Sequence, residues 1–171
     1  MIKKIELYWN ITHYIVYRAL CIATFIVDRH SPITLLLDTH IFKKWIERRG
    51  GTIKQINNAT DKVLNNPIIS VNVWYADLIM MILPVVFLSG LEIYCVAVFN
   101  DTLLPSIKIT TLILICDVII SYLLNYVLLF HKDKYLYYFK KLDHKTSPKM
   151  YFISLLIISL PFLVIITSFF L

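Results

Sequence analysis

The chain reads as an all-α membrane protein, a four-span transmembrane helix bundle with a cytoplasmic interfacial amphipathic helix. Three observations predict this. Four stretches, about 8–27, 78–99, 109–130 and 150–171, are mostly apolar over about 20 residues each, the length at which a helix rising 1.5 Å per residue matches a hydrocarbon layer of about 30 Å. Of the 171 residues, 58% are hydrophobic and the mean hydropathy is +0.71, more apolar than an ordinary soluble domain. The basic residues collect between the stretches rather than inside them. A single membrane domain over 1–171 is expected, with cytoplasmic segments at about 28–77 and 131–149.

The first stretch, Tyr8 to Val27, carries His13 and Arg18 and is the least apolar of the four. Lys3 and Lys4 ahead of it resemble the start of a signal peptide. Glu6 and Arg18 break that pattern and no small-x-small cleavage site follows, so a retained helix is expected. Asp28-Arg29-His30 ends it.

In the segment that follows, Ser31-Pro32 is a helix start, a capping side chain before a proline at the first helical position. Ile33, Leu37, Ile41 and Trp45 then recur every four residues, joined by Leu36, Phe42 and Ile46, while Asp38, Lys43, Glu47 and Arg48 take other faces. Gly50-Gly51 stops the helix. An apolar stripe with a Trp beside a basic face is the pattern of a helix lying on a membrane surface; it also suits a helix packed on the protein's own cytoplasmic part. Residues 52–67 read as a polar linker or short helix. Residues 68–75 alternate in polarity, either as an extended segment or as the interfacial start of the second span, where Trp74 and Tyr75 suit an aromatic belt.

The second stretch, Leu78 to Phe99, contains Pro84, Gly90 and Glu92. Proline is tolerated in a membrane helix, where it kinks the rod. The third, Ile109 to Phe130, contains Asp117 and Asn125 and is expected to run on unbroken as a helix through 134–141. The fourth, Met150 to Leu171, has no charge and one proline, Pro161.

Charge sets the expected orientation. Residues 28–77 hold Arg29, Lys43, Lys44, Arg48, Arg49, Lys54 and Lys62, and residues 131–149 hold Lys132, Lys134, Lys140, Lys141, Lys145 and Lys149, whereas 100–108 holds only Lys108. Basic residues favour the cytoplasmic side, which puts both termini outside. Lys3 and Lys4 dissent, and an alternative resolves them: three spans, with the first stretch not crossing and the N-terminus inside. The net charge of +6 is thus read as a topology signal and as an affinity for anionic lipid headgroups, with nucleic acid not the expected partner. Richness in Ile, Lys, Asn and Tyr fits an AT-rich bacterial coding sequence, hence a bacterial inner membrane.

Arg18, Glu92 and Asp117 are charges inside apolar stretches, each costing about 2.5–3.5 kcal/mol at a helix centre unless paired. With four spans whose ends are level, Glu92 lies roughly 10 Å, Asp117 roughly 12 Å and Arg18 roughly 15 Å from the outer face, with His13 shallower. One guanidinium facing two carboxylates is either an ion-pair lock between helices or, through the odd acid, a protonatable or ion-binding site; one acid pointing to another subunit is a third possibility. Asn125 is expected to hydrogen-bond across helices.

No catalytic, cofactor or metal site is expected. The three glycines are not spaced for a phosphate loop; His131, His144 and Asp143 match no zinc pattern; Ser89-Gly90 lacks a nucleophile-elbow context. Cys21, Cys95 and Cys116 sit in apolar stretches and are expected to be free thiols. Three short glycosylation matches, at Asn10, Asn58 and Asn100, carry little weight. The leading expectation is a non-enzymatic membrane subunit that forms a homo-oligomer or binds a partner protein, with Lys43, Lys44, Arg48, Arg49, Lys140 and Lys141 on a basic cytoplasmic docking surface. The alternative is a small ion channel, pore-forming effector or ion-coupled transporter that uses the buried acids; an intramembrane enzyme is the most remote.

Overall fold

The computed structural model describes residues 2–31, 36, 39–68, 70–99, 107–143, 145–168 and 170. In chain order its helices are α1 (Ile2–His30), α2 (His40–Arg48), α3 (Ile53–Asn65), α4 (Val71–Phe99), α5 (Ile107–Asn125), α6 (Lys134–Leu142) and α7 (Pro148–Ser168). Among the described residues there is no strand. Four helical runs are long and apolar enough to cross a membrane: Lys3–Asp28, Val71–Val98, Thr110–Leu142 and Pro148–Ser168. The chain divides into two units, one of Met1–Ile15 with Asp77–Leu171, the other Val16–Ala76.

In the first unit, α4 and α5 are antiparallel: Ser89 faces Asp117, the Met81 carbonyl faces Ser121 and the Met80 carbonyl faces Asn125. The first half of α1 is also antiparallel to α4. His13 lies beside Asp77, Trp9 packs on the core of Met80, Leu83 and Leu129, and Ile5 shares an apolar groove with Pro84 and Phe87. The N-terminal end of α1 is therefore level with the middle of α4, not with its far end. α7 runs in the same direction as α4, with Ile158 at the Met80–Leu83 core and Ile165 at Gly90. At Gly90 these two helices are in close contact. A Cβ there would stand 2.9 Å from Ile165 Cγ1 and 3.2 Å from Val164 Cγ1.

The third apolar stretch does not continue as one rod. Past Asn125 the helix widens into a π turn, Tyr126–Phe130, then a 3-10 turn, His131–Asp133, in which Lys132 (φ 61°) and Asp133 (φ 52°) are both left-handed. This corrects the expectation of an unbroken extension through 134–141. Left-handed backbone is unfavourable for non-glycine residues by about 1–2 kcal/mol each. The contacts that α6 then makes offset that cost: Lys134 Nζ reaches Glu6 at 2.9 Å and the Val127 carbonyl at 3.0 Å, Phe139 and Tyr135 pack on His13, and the Tyr14 hydroxyl donates to Asp143.

The second unit holds the rest of α1 with α2 and α3. Residues 52–67 form a capped helix rather than a linker: Thr52 and Gln55 make a reciprocal capping box at the start of α3. Residues 71–75 are the first turn of α4, with Ser70 accepting from the Val73 amide, which settles the extended-or-helical alternative as helical. Buried Asn72 ties the pieces together, its amide reaching Thr24 Oγ1 at 3.0 Å and Asn65 Oδ1 at 3.1 Å. The Tyr17 hydroxyl donates to the Asn65 carbonyl. α2 ends as the glycine pair predicts. Gly50 adopts φ +76°, its amide bonds the Glu47 carbonyl and that of Gly51 bonds the Ile46 carbonyl, which satisfies two of the end carbonyls that a helix leaves open. Of the amphipathic stripe, Ile33 and Leu37 lie outside the described residues.

Two opposed effects meet in Gly90→Ala. Alanine gains about 1 kcal/mol of helix propensity, and overpacking against Ile165 and Val164, both β-branched and stiff, costs about 1–3 kcal/mol. Net destabilisation is expected, read as a lower melting temperature in detergent, with Gly90→Leu worse than Gly90→Ala.

A candidate functional site: the polar array inside the apolar bundle

Large apolar side chains face outward on the long helices of the first unit: Leu123 is 54% exposed, Leu155 64% and Phe162 51%. Polar ones are turned inward. Asn10, Thr12, His13, Asp117, Ser121, Asn125 and Ser154 are all buried. Buried polar groups are costly unless hydrogen-bonded, so their partners define the array.

Its centre is α5, where Asp117, Ser121 and Asn125 are spaced by four and so lie on one face. Asn125 spends both amide hydrogens on carbonyls, that of Met80 across the interface at 3.0 Å and that of Ser121 on its own helix at 2.9 Å. Its side-chain oxygen accepts from Trp9 Nε1 at 3.0 Å. One side chain thus joins α1, α4 and α5. Ser121 donates to the Met81 carbonyl. Asn10 on α1 donates to the Leu128 carbonyl at 2.9 Å and to the Glu6 carbonyl of its own helix. Further along the same seam Ser89 donates to Asp117 Oδ2 at 3.2 Å, and Glu92, one turn on from Ser89 and half-buried, is within electrostatic range of Asp117.

A second cluster lies where α1, α4 and α6 meet. His13 is fully buried with Nε2 2.8 Å from Asp77 Oδ1. The approach lacks hydrogen-bond alignment, and His13 Nδ1 has no hydrogen-bond partner. The imidazole is packed beside Asp77 and against two rings, Phe139 at 5.1 Å and Tyr135 at 5.7 Å between centroids. Nearby, Glu6 is paired with Lys134 and accepts from the Tyr138 hydroxyl.

Of the residues singled out from sequence, Glu92 and Asp117 are neighbours, Asn125 is the hub, and His13 belongs to the Asp77 cluster. Arg18 is an exposed residue of the second unit. Ile41, Trp45, Lys44, Arg48 and Arg49 are exposed on or just after α2, with Lys43 half-buried there; Lys140 and Lys141 are exposed on α6. The array also contains residues that sequence reasoning passed over: Trp9, Asn10, Asp77 and Ser121. The available signal for Ser121 was its spacing of four from both Asp117 and Asn125.

An apolar groove of about 370 Å³ lies beside the array, lined among others by Ile5, Trp9, Phe87 and Leu124, and by both intrahelical prolines, Pro84 and Pro161. Among the described residues no three His, Cys, Asp or Glu side chains converge so as to hold a metal ion. All three cysteines are free. No protein-family model, curated protein or solved structure matches this chain.

The Trp9–Asn125 bond is testable by a double-mutant cycle. Trp9→Phe and Asn125→Leu are each expected to destabilise the detergent-solubilised protein, and the pair to be less harmful than the sum by about 0.6 kcal/mol, up to about 1.7, the range of interhelical hydrogen bonds in membrane proteins. Strict additivity would remove Asn125 from the centre of the array.

Proposed function

We propose that this chain is a multi-pass integral membrane protein acting non-enzymatically as an oligomerising or partner-binding membrane subunit. The observation that carries the membrane part is the inverted polarity of the first unit: large apolar side chains outside, and inside a set of buried polar ones of which Asn10, Ser121 and Asn125 donate to backbone carbonyls while Ser154 Oγ and the His13 nitrogens have no hydrogen-bond partner. In water this arrangement would expose a large continuous apolar surface; in hydrocarbon it is the favourable one. The use of the polar groups supports a packing role. Asn125, Ser121 and Asn10 direct their donor hydrogens at backbone carbonyls, which fixes helix positions and leaves those donors committed.

In this proposal α4, the α5 run and α7 each cross completely, and α1 enters by its N-terminal half alone. From His13, level with Asp77 at the start of the apolar part of α4, back to Ile2 is about 16 Å along the helix, half of a hydrocarbon layer of about 30 Å. Lys3 and Lys4 are exposed on α1, and each charge costs about 2.5–3.5 kcal/mol at the centre of the layer unless it is paired or reaches water. With basic residues on the inner side, segments 28–77 and 131–149 are cytoplasmic. They offer a partner the exposed Lys140, Lys141 and Tyr137, the last with the Lys141 ammonium 5.7 Å from its ring centre.

The native cysteines test this arrangement. In single-cysteine proteins in sealed bilayers, Cys116, in the middle of the α5 run, is expected to resist a charged, membrane-impermeant maleimide until the bilayer is dissolved. Cys21, eight residues beyond His13 on α1, is expected to react from the cytoplasmic side. Protection of both would mean that α1 crosses as well; ready reaction of Cys116 would refute the membrane placement.

One observation favours a second reading as a channel or ion-coupled transporter: Asp117 is 4% exposed and has a second carboxylate, Glu92, as a neighbour. Two carboxylates inside apolar spans are the groups that mark an ion pathway. On that reading, expression of the protein changes membrane conductance and Asp117→Asn abolishes the change; as a packing subunit, the protein gives no conductance and Asp117→Asn affects assembly alone.

A further inference from the structure

Among the described residues, the second unit carries an exposed apolar face bordered by cations, and its chemistry names its occupant. On α2, Ile41 is 78% exposed, Trp45 50% and Phe42 39%, while Ile46, next around the helix, is 6% exposed. The helix thus packs by Ile46 and turns its larger apolar residues outward. At 100° per residue Ile41, Trp45 and Phe42 share about a quarter-turn of the surface. Exposed Lys44 and Arg48 flank that strip on one side, and the Arg49 guanidinium sits 4.2 Å from the centre of the Trp45 ring. Arg49 follows Trp45 by four residues, one turn on, which is the spacing that lets its guanidinium reach back over the ring.

We infer that this face of α2 lies in an anionic phospholipid surface, with Ile41, Phe42 and Trp45 in the acyl boundary and Lys44, Arg48 and Arg49 on lipid phosphates. The inference rests on the membrane reading above and deepens it. Charge complementarity selects the partner: exposed cations border exposed apolar side chains, so the ligand must be hydrocarbon with a dense negative rim. A Trp with a stacked guanidinium suits that boundary, since each has an apolar body and a polar edge. A packed protein interface, by contrast, is depleted in Lys at its core. A juxtamembrane Lys or Arg gains about fivefold in partitioning at an anionic surface, and salt erodes the gain.

The test uses the full chain in lipid nanodiscs, either neutral phosphatidylcholine or the same lipid mixed with phosphatidylglycerol, with brominated acyl chains as quencher. The difference in emission between the wild-type protein and Trp45→Phe isolates Trp45 and leaves Trp9 in place. Quenching of Trp45 should be about twofold or more stronger in anionic discs, fall to the neutral level in high salt, and fall likewise in a Lys44→Glu/Arg48→Glu/Arg49→Glu variant. Equal quenching in both lipids overturns the anionic recognition. Absence of quenching in both, or blue-shifted emission that bromine does not touch, assigns the face to a protein contact and overturns the inference altogether. Failure of the chain to enter discs at all is a separate outcome and refutes the membrane reading beneath it.

Discussion

A polar side chain buried among apolar ones has no water to fall back on, and costs free energy unless it finds a partner within the protein. That constraint organises the first unit. Asn125 meets it by holding two carbonyls and one indole nitrogen at once, so the positions of α1, α4 and α5 are set together. Ser121 and Asn10 add two more side-chain grips on neighbouring carbonyls. Each bond is modest in energy, but the alternative for each group is an unsatisfied donor, which is what makes the register specific. Van der Waals fit supplies the rest: α7 has no polar tie to the array among its described contacts and is placed by close approach at Gly90.

The same constraint explains the irregular corner between α5 and α6. A straight continuation would carry Tyr135, Tyr138 and Phe139 away from α1. Two left-handed residues redirect the chain so that Phe139 and Tyr135 cover His13 and Lys134 neutralises Glu6. The strain at Lys132 and Asp133, about 1–2 kcal/mol each, is offset by the burial of Phe139, worth about 1.5–3 kcal/mol when fully removed from water, together with the half-buried Tyr135 and the Lys134–Glu6 pair. His13 is fully buried beside the partly exposed Asp77; without Asp77 the imidazole would face only rings.

Much of the fold was legible because its signal is cumulative. Runs of twenty apolar residues cannot be hidden by any one substitution, and the glycines ending α2 act through local geometry that the sequence states directly; the Thr52–Gln55 cap of α3 went unread, and 52–67 stayed open between a linker and a short helix. Asp117 and Asn125 were visible as polar interruptions in an apolar run. What escaped depends on register. Asp77 lies one residue before the second apolar stretch and so fell outside the search for buried charges; it becomes a partner only because α1 is offset along α4. Depths measured from level helix ends grouped His13 with Arg18, Glu92 and Asp117, and nothing in the sequence announces the offset. Ser121 was overlooked because serine is too common to stand out without its neighbours at four-residue spacing. The turn at Lys132 and Asp133 has no glycine to mark it, and tertiary contacts of α6 decide it.

Hydrocarbon as the solvent of the long helices is the claim on which the rest stands, and collision measurements on spin labels read it most directly. With labels at Leu123→Cys and Leu156→Cys, outward-facing on α5 and α7, in the reconstituted protein, molecular oxygen is expected to be the more frequent collider and a water-soluble nickel chelate to be nearly excluded at both sites. Ready collision with the chelate at both would place these faces in water and contradict the account.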